Sequence, residues 1–543
     1  MQSHHHNPVH IRTYKAGAVV AGALLLAAAP VTARPCESLL ALDLPETTIR
    51  SAGIVPVGAF TPPGTDTALS VPSICRVAGV TEPAVAFEVW LPAEGWNGKF
   101  HVSGNGGMAG VISYGAMAGA VRRGYAAAST DTGHARPGTG GFDASWALGR
   151  PDLVEDFGHR ALHVTAENGK AITTAFYERP PRYSYYVGCS KGGQQGLMEA
   201  QRYPHDFDGI VAGNPANDWT RFYAGAHLWY ALATLREPDS YIPPTKLSAL
   251  AGAVNAACDT LDGLSDGVLD DPRACGFDPA TLICPDGEDH DGCLTPPQAQ
   301  AVKDIWAGSR DAAGEVIFPG LVPGGEGGPG GGWGSWVTGD RPFTSLHWRA
   351  ADGFFKYMVF EDPDWNFRTF DYDADLAFAL DKVGGALDSA DPDLTRFRDS
   401  GAKLLVYHGW SDPDISPLGS VNYYESVLTT TGGAVPGDAA TRERALSETR
   451  DFFRLFLVPG MGHCRGGPGY NSLDPLPALE RWVEEGLAPE SIPATRVEGD
   501  AVVRRRPICA YPAASKWDGA GDPDEAGSFT CVSENRQPAP PGR

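Results

Sequence analysis

Gly188-Cys189-Ser190-Lys191-Gly192 constrains this 543-residue chain more than any other stretch. It is a G-x-S-x-G pentapeptide standing between a strand-like run, Tyr183 to Val187, and a helix-like run, Gln194 to Arg202. Glycines on both sides permit a turn tight enough to pass from strand to helix, and the serine between them is lifted clear of the sheet. Ser190 is therefore the candidate nucleophile.

Two later segments supply what a serine hydroxyl needs to become reactive. Lys403 to Gly409 is an apolar run followed by Asp412, and Phe452 to Val458 is another, followed by Gly460, Gly462 and His463. Each polar residue comes just past a strand of buried type, and the order Ser, Asp, His is that of α/β-hydrolases. An imidazole must take the serine proton, and a carboxylate must orient that imidazole and support its charge. His463 fits the first role and Asp412 the second; spacing alone leaves Asp414 a competitor. His408, inside a strand end, reads as a buried structural histidine.

Cys189 immediately precedes the candidate nucleophile and Cys464 immediately follows the candidate base. A bond between them would tie Ser190 to His463. Closing a loop of that length restricts the unfolded chain by roughly 5–6 kcal/mol in the chain-entropy account.

With these motifs the chain resembles the tannase and feruloyl esterase family, which includes mono(hydroxyethyl) terephthalate hydrolases. The resemblance spans nearly the whole mature chain. It is carried by Gly104-Asn105-Gly106-Gly107, Ser129-Thr130-Asp131-Thr132-Gly133-His134, Asp156-Phe157-Gly158-His159-Arg160, Gly188-Cys189-Ser190-Lys191-Gly192-Gly193 and Ala200 to Ile210. It continues in His408-Gly409-Trp410-Ser411-Asp412 and Gly460-Met461-Gly462-His463-Cys464. It implies an α/β fold, an α/β-hydrolase core with a large inserted lid, in which Ser190, Asp412 and His463 form the triad; Asp412 is thereby preferred to Asp414. It also implies a Cys189–Cys464 bridge and, together with nearness in sequence, the pairs Cys36–Cys75, Cys258–Cys275, Cys284–Cys293 and Cys509–Cys531. Lys191 departs from the small or neutral residue expected there. Its N–H is expected in the oxyanion hole, and its side chain would set a cation at the mouth that favours acidic substrates. Gly106, on a glycine-rich turn after the strand-like Lys99 to Ser103, is expected to give the other oxyanion donor.

Asp259 to Asp271, enclosed by Cys258 and Cys275, is dense in carboxylates and glycines. Hard oxygen donors at alternating positions suit Ca²⁺, although the spacing is not that of an EF-hand. The resemblance implies structural calcium here, held by the side chains of Asp259, Asp262 and Asp266 and the carbonyls of Leu264 and Val268.

A net charge of −23 argues against nucleic acid as partner. Arg12 and Lys15 precede an apolar run, Ala16 to Ala29, and Val31-Thr32-Ala33 offers a cleavage site, so residues 1–33 read as a signal peptide. That run is too short to span a membrane. Ten cysteines in an exported chain imply disulfides and a secreted or periplasmic location. The triad positions divide the rest into a first core part at 34–216, a lid with the calcium loop at 217–400, a second core part at 401–533 and a disordered tail at 534–543. Within the lid, the aromatics Trp348, Phe354, Phe355, Tyr357, Phe360, Trp365 and Phe367 read mainly as lid core. The expected protein is an exported serine esterase acting on small esters of phenolic or aromatic acids, feruloyl, galloyl or related, through an acyl-enzyme. A serine peptidase of the same fold and a non-catalytic secreted calcium-binding protein are the rival readings, and an intact Ser, Asp and His in this order argues against the latter.

Overall fold

The computed structural model describes residues 1, 34–135, 141–327 and 332–533; the expected signal segment and tail lie outside the described residues, apart from Met1. A nine-stranded sheet runs through the centre. Its strands are β1 (Thr47–Val55), β2 (Ile74–Thr81), β3 (Val85–Pro92), β4 (Lys99–Ser103), β5 (Ala126–Thr130), β6 (Tyr183–Cys189), β7 (Gly209–Gly213), β8 (Lys403–Gly409) and β9 (Phe453–Val458). In space they lie in the order β1-β2-β3-β5-β4-β6-β7-β8-β9. The first pairings, up to β3 with β5, are antiparallel, and every pairing from β5 across to β9 is parallel.

The parallel strands read as continuous apolar runs because both of their faces are covered. Period-two alternation sends Tyr186, Ile210, Leu404 and Val406 into one core and Tyr185, Val211 and Leu405 into the opposite one. The helices that bear on the site are α1 (Tyr114–Arg122), α2 (Ala161–Tyr177), α3 (Lys191–Arg202), α4 (Pro244–Cys258), α5 (Leu346–Gly353), α6 (Pro417–Thr430) and α7 (Leu476–Glu485). Helices α2, α3 and α6 bury apolar residues such as Ile172, Leu197 and Val427 on the first face. Helices α1 and α7 bury Met117, Leu479 and Trp482 on the second.

Between β7 and β8, the described residues add no strand to this sheet. They build a third core around residues such as Leu250, Trp333, Phe354 and Phe355, completed by Met108 and Phe157 from the first part of the chain. Phe354, Phe355 and Phe367 are buried there, while Trp348, Tyr357, Phe360 and Trp365 pack half-buried around them. This inserted body caps the carboxyl ends of β8 and β9, where its Trp336 meets the His463 ring and its His347 meets Asp414.

All ten cysteines are bonded, in the five pairs expected: Cys36–Cys75, Cys189–Cys464, Cys258–Cys275, Cys284–Cys293 and Cys509–Cys531. Among the described residues no helix is long and apolar enough to cross a membrane.

Candidate active site

Ser190 occupies the turn between β6 and α3 with φ 66° and ψ −122°. A non-glycine residue held there stores about 1–3 kcal/mol, so its surroundings must impose the conformation. Ser190 N–H donates to the Gly213 carbonyl at 2.9 Å, and Gly104 N–H donates to the Val187 carbonyl at 2.9 Å. The glycines of the turn let three backbones close on one another. A Cβ on Gly104 would stand 3.0 Å from both Gly188 Cα and Gly192 Cα and would strike the Tyr186 hydroxyl. The turn after β4 is thereby pressed against the elbow.

That turn carries the expected oxyanion donor. Asn105 N–H is taken by Gln195 Oε1 at 3.0 Å, and Gln195 Nε2 donates back to Asn105 Oδ1 at 3.1 Å. Gly106 is exposed, and its N–H makes no hydrogen bond among the described residues. Lys191 N–H opens α3, where the first amides of a helix have no partner within it. Both donors are thus available.

Asp412 follows β8 and is fully buried, yet its oxygens are saturated with donors. It accepts from the N–H groups of Asp414 at 2.8 Å and Ile415 at 3.2 Å, from Asn214 Nδ2 at 2.7 Å, and from His463 Nδ1 at 3.0 and 3.1 Å. His408 Nε2 lies 3.2 Å from the same carboxylate while its Nδ1 faces Ser420 Oγ at 2.8 Å, so His408 is a buried structural partner of Asp412. Burial alone would raise the Asp412 pKa; the charges and hydrogen bonds of His463 and His408 outweigh it and hold the carboxyl well below its ordinary range.

His463 follows β9, and the Cys189–Cys464 bridge brings the Cα atoms of the two neighbouring residues to 6.0 Å. The bridge therefore sets the elbow turn and the histidine turn face to face. Ser190 Oγ and His463 Nε2 are not hydrogen-bonded; Nε2 lies 3.4 Å from Asp414 Oδ2 instead. Catalytic hydrogen bonds are often long in substrate-free enzymes and tighten on binding. Burial works against the imidazolium, but Asp412 and Asp414 together overcome it and raise His463 to about 9. The Trp336 ring and the imidazole pack edge to face, with centroids 5.0 Å apart. A cavity of about 480 Å³ opens beside His463, lined by Trp336, Ser411, Arg465 and Asn471 among others.

Lys191 corrects one expectation. Its side chain does not stand at a mouth but is buried, 1% exposed, with Nζ hydrogen-bonded to Gln194 Oε1 at 2.5 Å. Nζ lies 4.0 Å from the centre of the Phe157 ring and 5.1 Å from that of Trp219. The first turn of α3 points it down into the junction of sheet and lid, where burial lowers its pKa well below the ordinary value. The cation beside His463 is the exposed Arg465.

The expected calcium loop follows α4. Asp259 accepts from Gly267 N–H at 2.8 Å, Asp262 from Leu264 N–H at 2.9 Å, and Asp266 from Val268 N–H at 3.1 Å, so the loop curls around its own carboxylates. Burial raises Asp262 and Asp266, and each is raised further by a neighbouring loop carboxylate. The carbonyls of Leu264 and Val268 accept no hydrogen bond among the described residues. Mutually repelling carboxylates with two spare carbonyls are a donor set that fits Ca²⁺.

Four residues at the site, Asn214, Trp336, His227 and His347, are not singled out by the sequence. Asn214 buttresses Asp412; Trp336 contacts His463; Asp414, with His227 and His347, forms a buried cluster beside it. Asn214 stands just past β7 as Asp412 stands past β8, and that position was the available signal. Asp414, in sequence a rival to Asp412, stands on the other side of His463.

A strained serine at the end of a central parallel strand, with an Asp–His pair after the next strands, defines an α/β-hydrolase. Residues 69–532 match the family described as Tannase and feruloyl esterase, and the chain belongs to that family: it is a carboxylic ester hydrolase. It is 41% identical over 548 residues to an uncharacterised esterase of Xanthomonas campestris pv. campestris, covering 95% of this chain and 94% of that one. It is 34% identical over 481 residues to a probable feruloyl esterase B of Aspergillus clavatus, covering 84% and 86%. The crystal structure of feruloyl esterase B from Aspergillus oryzae is similar with a TM-score of 0.80 at 30% identity, covering 92% of this chain and 99% of that one. Tannin acyl hydrolase from Aspergillus niger shares the fold, with a TM-score of 0.72 at 23% identity, 92% of this chain and 93% of that one.

Proposed function

We propose that this hydrolase is an exported serine esterase that cleaves esters of phenolic or other aromatic acids through an acyl-enzyme. Ser190 Oγ attacks the ester carbonyl while His463 Nε2 takes its proton. The carbonyl oxygen becomes an oxyanion facing the N–H groups of Lys191 and Gly106. His463 then gives the proton to the departing alcohol, and water repeats the sequence to release the acid. Asp412 fixes the ring by its contact with Nδ1 and supports the imidazolium. The observation that carries this reading is the pairing of His463 Nδ1 with buried Asp412 at 3.0 Å on a turn bonded to the elbow through Cys189–Cys464. Five disulfides and the expected signal segment support export. The names of the feruloyl esterase relatives support the phenolic acyl group.

The test is a panel of methyl and glycol esters of hydroxycinnamic, gallic and terephthalic acids, with the matching amides, assayed on wild type and Ser190→Ala. Turnover of esters over amides is expected in wild type, with the variant below a few per cent of that rate and unchanged in melting temperature. Residual activity above that level removes Ser190 from the mechanism, and hydrolysis of the amides at comparable rates indicates a peptidase.

A further inference from the structure

Asp414 is a second buried carboxylate beside the general base, two residues beyond Asp412. A Ser-His-Asp arrangement has no evident use for it. Its Oδ2 lies 3.4 Å from His463 Nε2, the nitrogen that must receive the serine proton. Its Oδ1 is hydrogen-bonded to His227 Nε2 at 2.8 Å, and His347 Nε2 lies 3.2 Å from the same oxygen without completing a hydrogen bond. Both of these histidines belong to the inserted lid, both are buried, and their rings stack with centroids 4.5 Å apart. Asp414 is therefore anchored on one oxygen by the lid and presents the other to the catalytic ring.

We propose that Asp414, held by the hydrogen bond from His227, is a positioning residue whose charge attracts the protonated Nε2 of His463 in the substrate-free enzyme and keeps the base turned from Ser190. This rests on the assignment of Ser190 and His463 above. A doubly protonated ring that donates Nδ1–H to Asp412 and is held in charge contact with Asp414 through Nε2–H has no lone pair left for the serine proton. To act as a base it must release the Nε2 proton to solvent and swing the bared nitrogen to Ser190 Oγ.

The charged and titratable groups around this contact are few. Asp412 and Asp414 face His463, with Arg465 two residues further along the chain, His408 on the far side of Asp412 and the uncharged Trp336 across the ring. His227, His347 and the hydroxyls of Tyr223 and Tyr230 surround Asp414. Burial and the neighbouring His227 push His347 down to about 4, so it is neutral at physiological pH. The donor atoms of His227, His347 and Asp414 lie within 4.8 Å of one another, as metal ligands do. A metal reading is weaker, because ligating imidazoles need an acceptor on the second nitrogen, and the Nδ1 atoms of both rings are buried without one.

The experiment measures the rate of Ser190 labelling by an aryl phosphonate between pH 5 and 10, in wild type and Asp414→Asn. Labelling needs the neutral base, so the rate climbs as His463 loses its proton. Removing one carboxylate lowers the pH of that climb: the midpoint is expected to fall by at least one unit, which raises the rate at neutral pH about tenfold relative to each protein's own plateau. An unmoved or raised midpoint overturns the proposal. Absence of any label on wild-type Ser190 instead defeats the assignment of the nucleophile. An NMR titration of wild type labelled with ¹⁵N-histidine, with His463 assigned by His463→Gln, needs no folded Asp414 variant. A doubly protonated His463 persisting above pH 7.5 is expected, and a neutral ring at pH 7 refutes the proposal. So does a stoichiometric transition metal surviving dialysis against chelator.

Discussion

Lys191 shows how a residue's place can be legible in sequence while its direction is not. Its neighbour Ser190 is fixed by the glycine pattern, so the Lys191 amide belongs at the helix start whatever its side chain does. The side chain's direction depends on Phe157 and Trp219, which reach it from a distant segment and from the lid, and they bury the ammonium under the elbow. A buried ammonium pays a desolvation cost that stacking on two rings only partly offsets. Lys191→Met keeps the stem and removes the charge, and it is expected to hold or raise the melting temperature. Its ratio of kcat/KM for acidic over neutral esters should stay within about twofold of wild type. A tenfold loss of that ratio would restore a substrate-facing role. The same contrast separates what the sequence makes legible at the rest of the site. Ser190, Asp412 and His463 each follow closely on an apolar strand and a glycine, a local pattern. Trp336, His227 and His347 sit within the inserted lid, and only its packing brings them to Asp414 and His463.

At the scale of elements, the site depends on how closely the β4 turn approaches the elbow. Alternating apolar runs and turn residues make the existence of β4, β6, β8 and β9 readable; the tightness of their approach is visible only in the packed backbone. Gly104 lies at the tightest point, against Gly188 and Gly192, and one hydrogen bond away from the β6 carbonyl of Val187. A methyl at Gly104 cannot be relieved by rotating a side chain, because two of the atoms it meets belong to backbone. Gly104→Ala should therefore push the turn bearing Gly106 away from Ser190. Loss of one oxyanion donor costs about 10²–10³ in turnover. We expect kcat to fall by that order while His463 still titrates as in wild type, measured by steady-state kinetics beside the NMR titration. A variant within threefold of wild-type kcat would show that the turn at 104–107 is not the second half of the oxyanion hole.

Across the whole molecule, the Asp-rich loop is the joint between lid and core. It leaves α4 at the Cys258–Cys275 bridge and meets the late strand β10 (Ala501–Cys509), where Arg504 Nη1 lies 3.2 Å from Asp266 Oδ2 and Arg506 pairs with Asp270. Val268 also packs beside Gly460, on the turn that leads to His463. The two arginines offset part of the loop's charge, and the expected Ca²⁺ would offset the rest through Asp259, Asp262 and Asp266. A ligand bound only by the folded state stabilises it by about 2.7 kcal/mol at a hundred times its dissociation constant. Stripping calcium with a chelator is expected to lower the melting temperature by several degrees, and adding back Ca²⁺, but not Mg²⁺, to restore it, since Mg²⁺ demands a smaller octahedron and gives up its water reluctantly. The double variant Asp262→Asn, Asp266→Asn should melt at the chelated value and ignore both ions. Because none of the proposed ligands touches Ser190, Asp412 or His463, kcat at 25 °C should change less than twofold while the chain stays folded. A melting curve indifferent to chelator would mean that Arg504, Arg506 and the loop's own amides suffice to hold this joint without a cation.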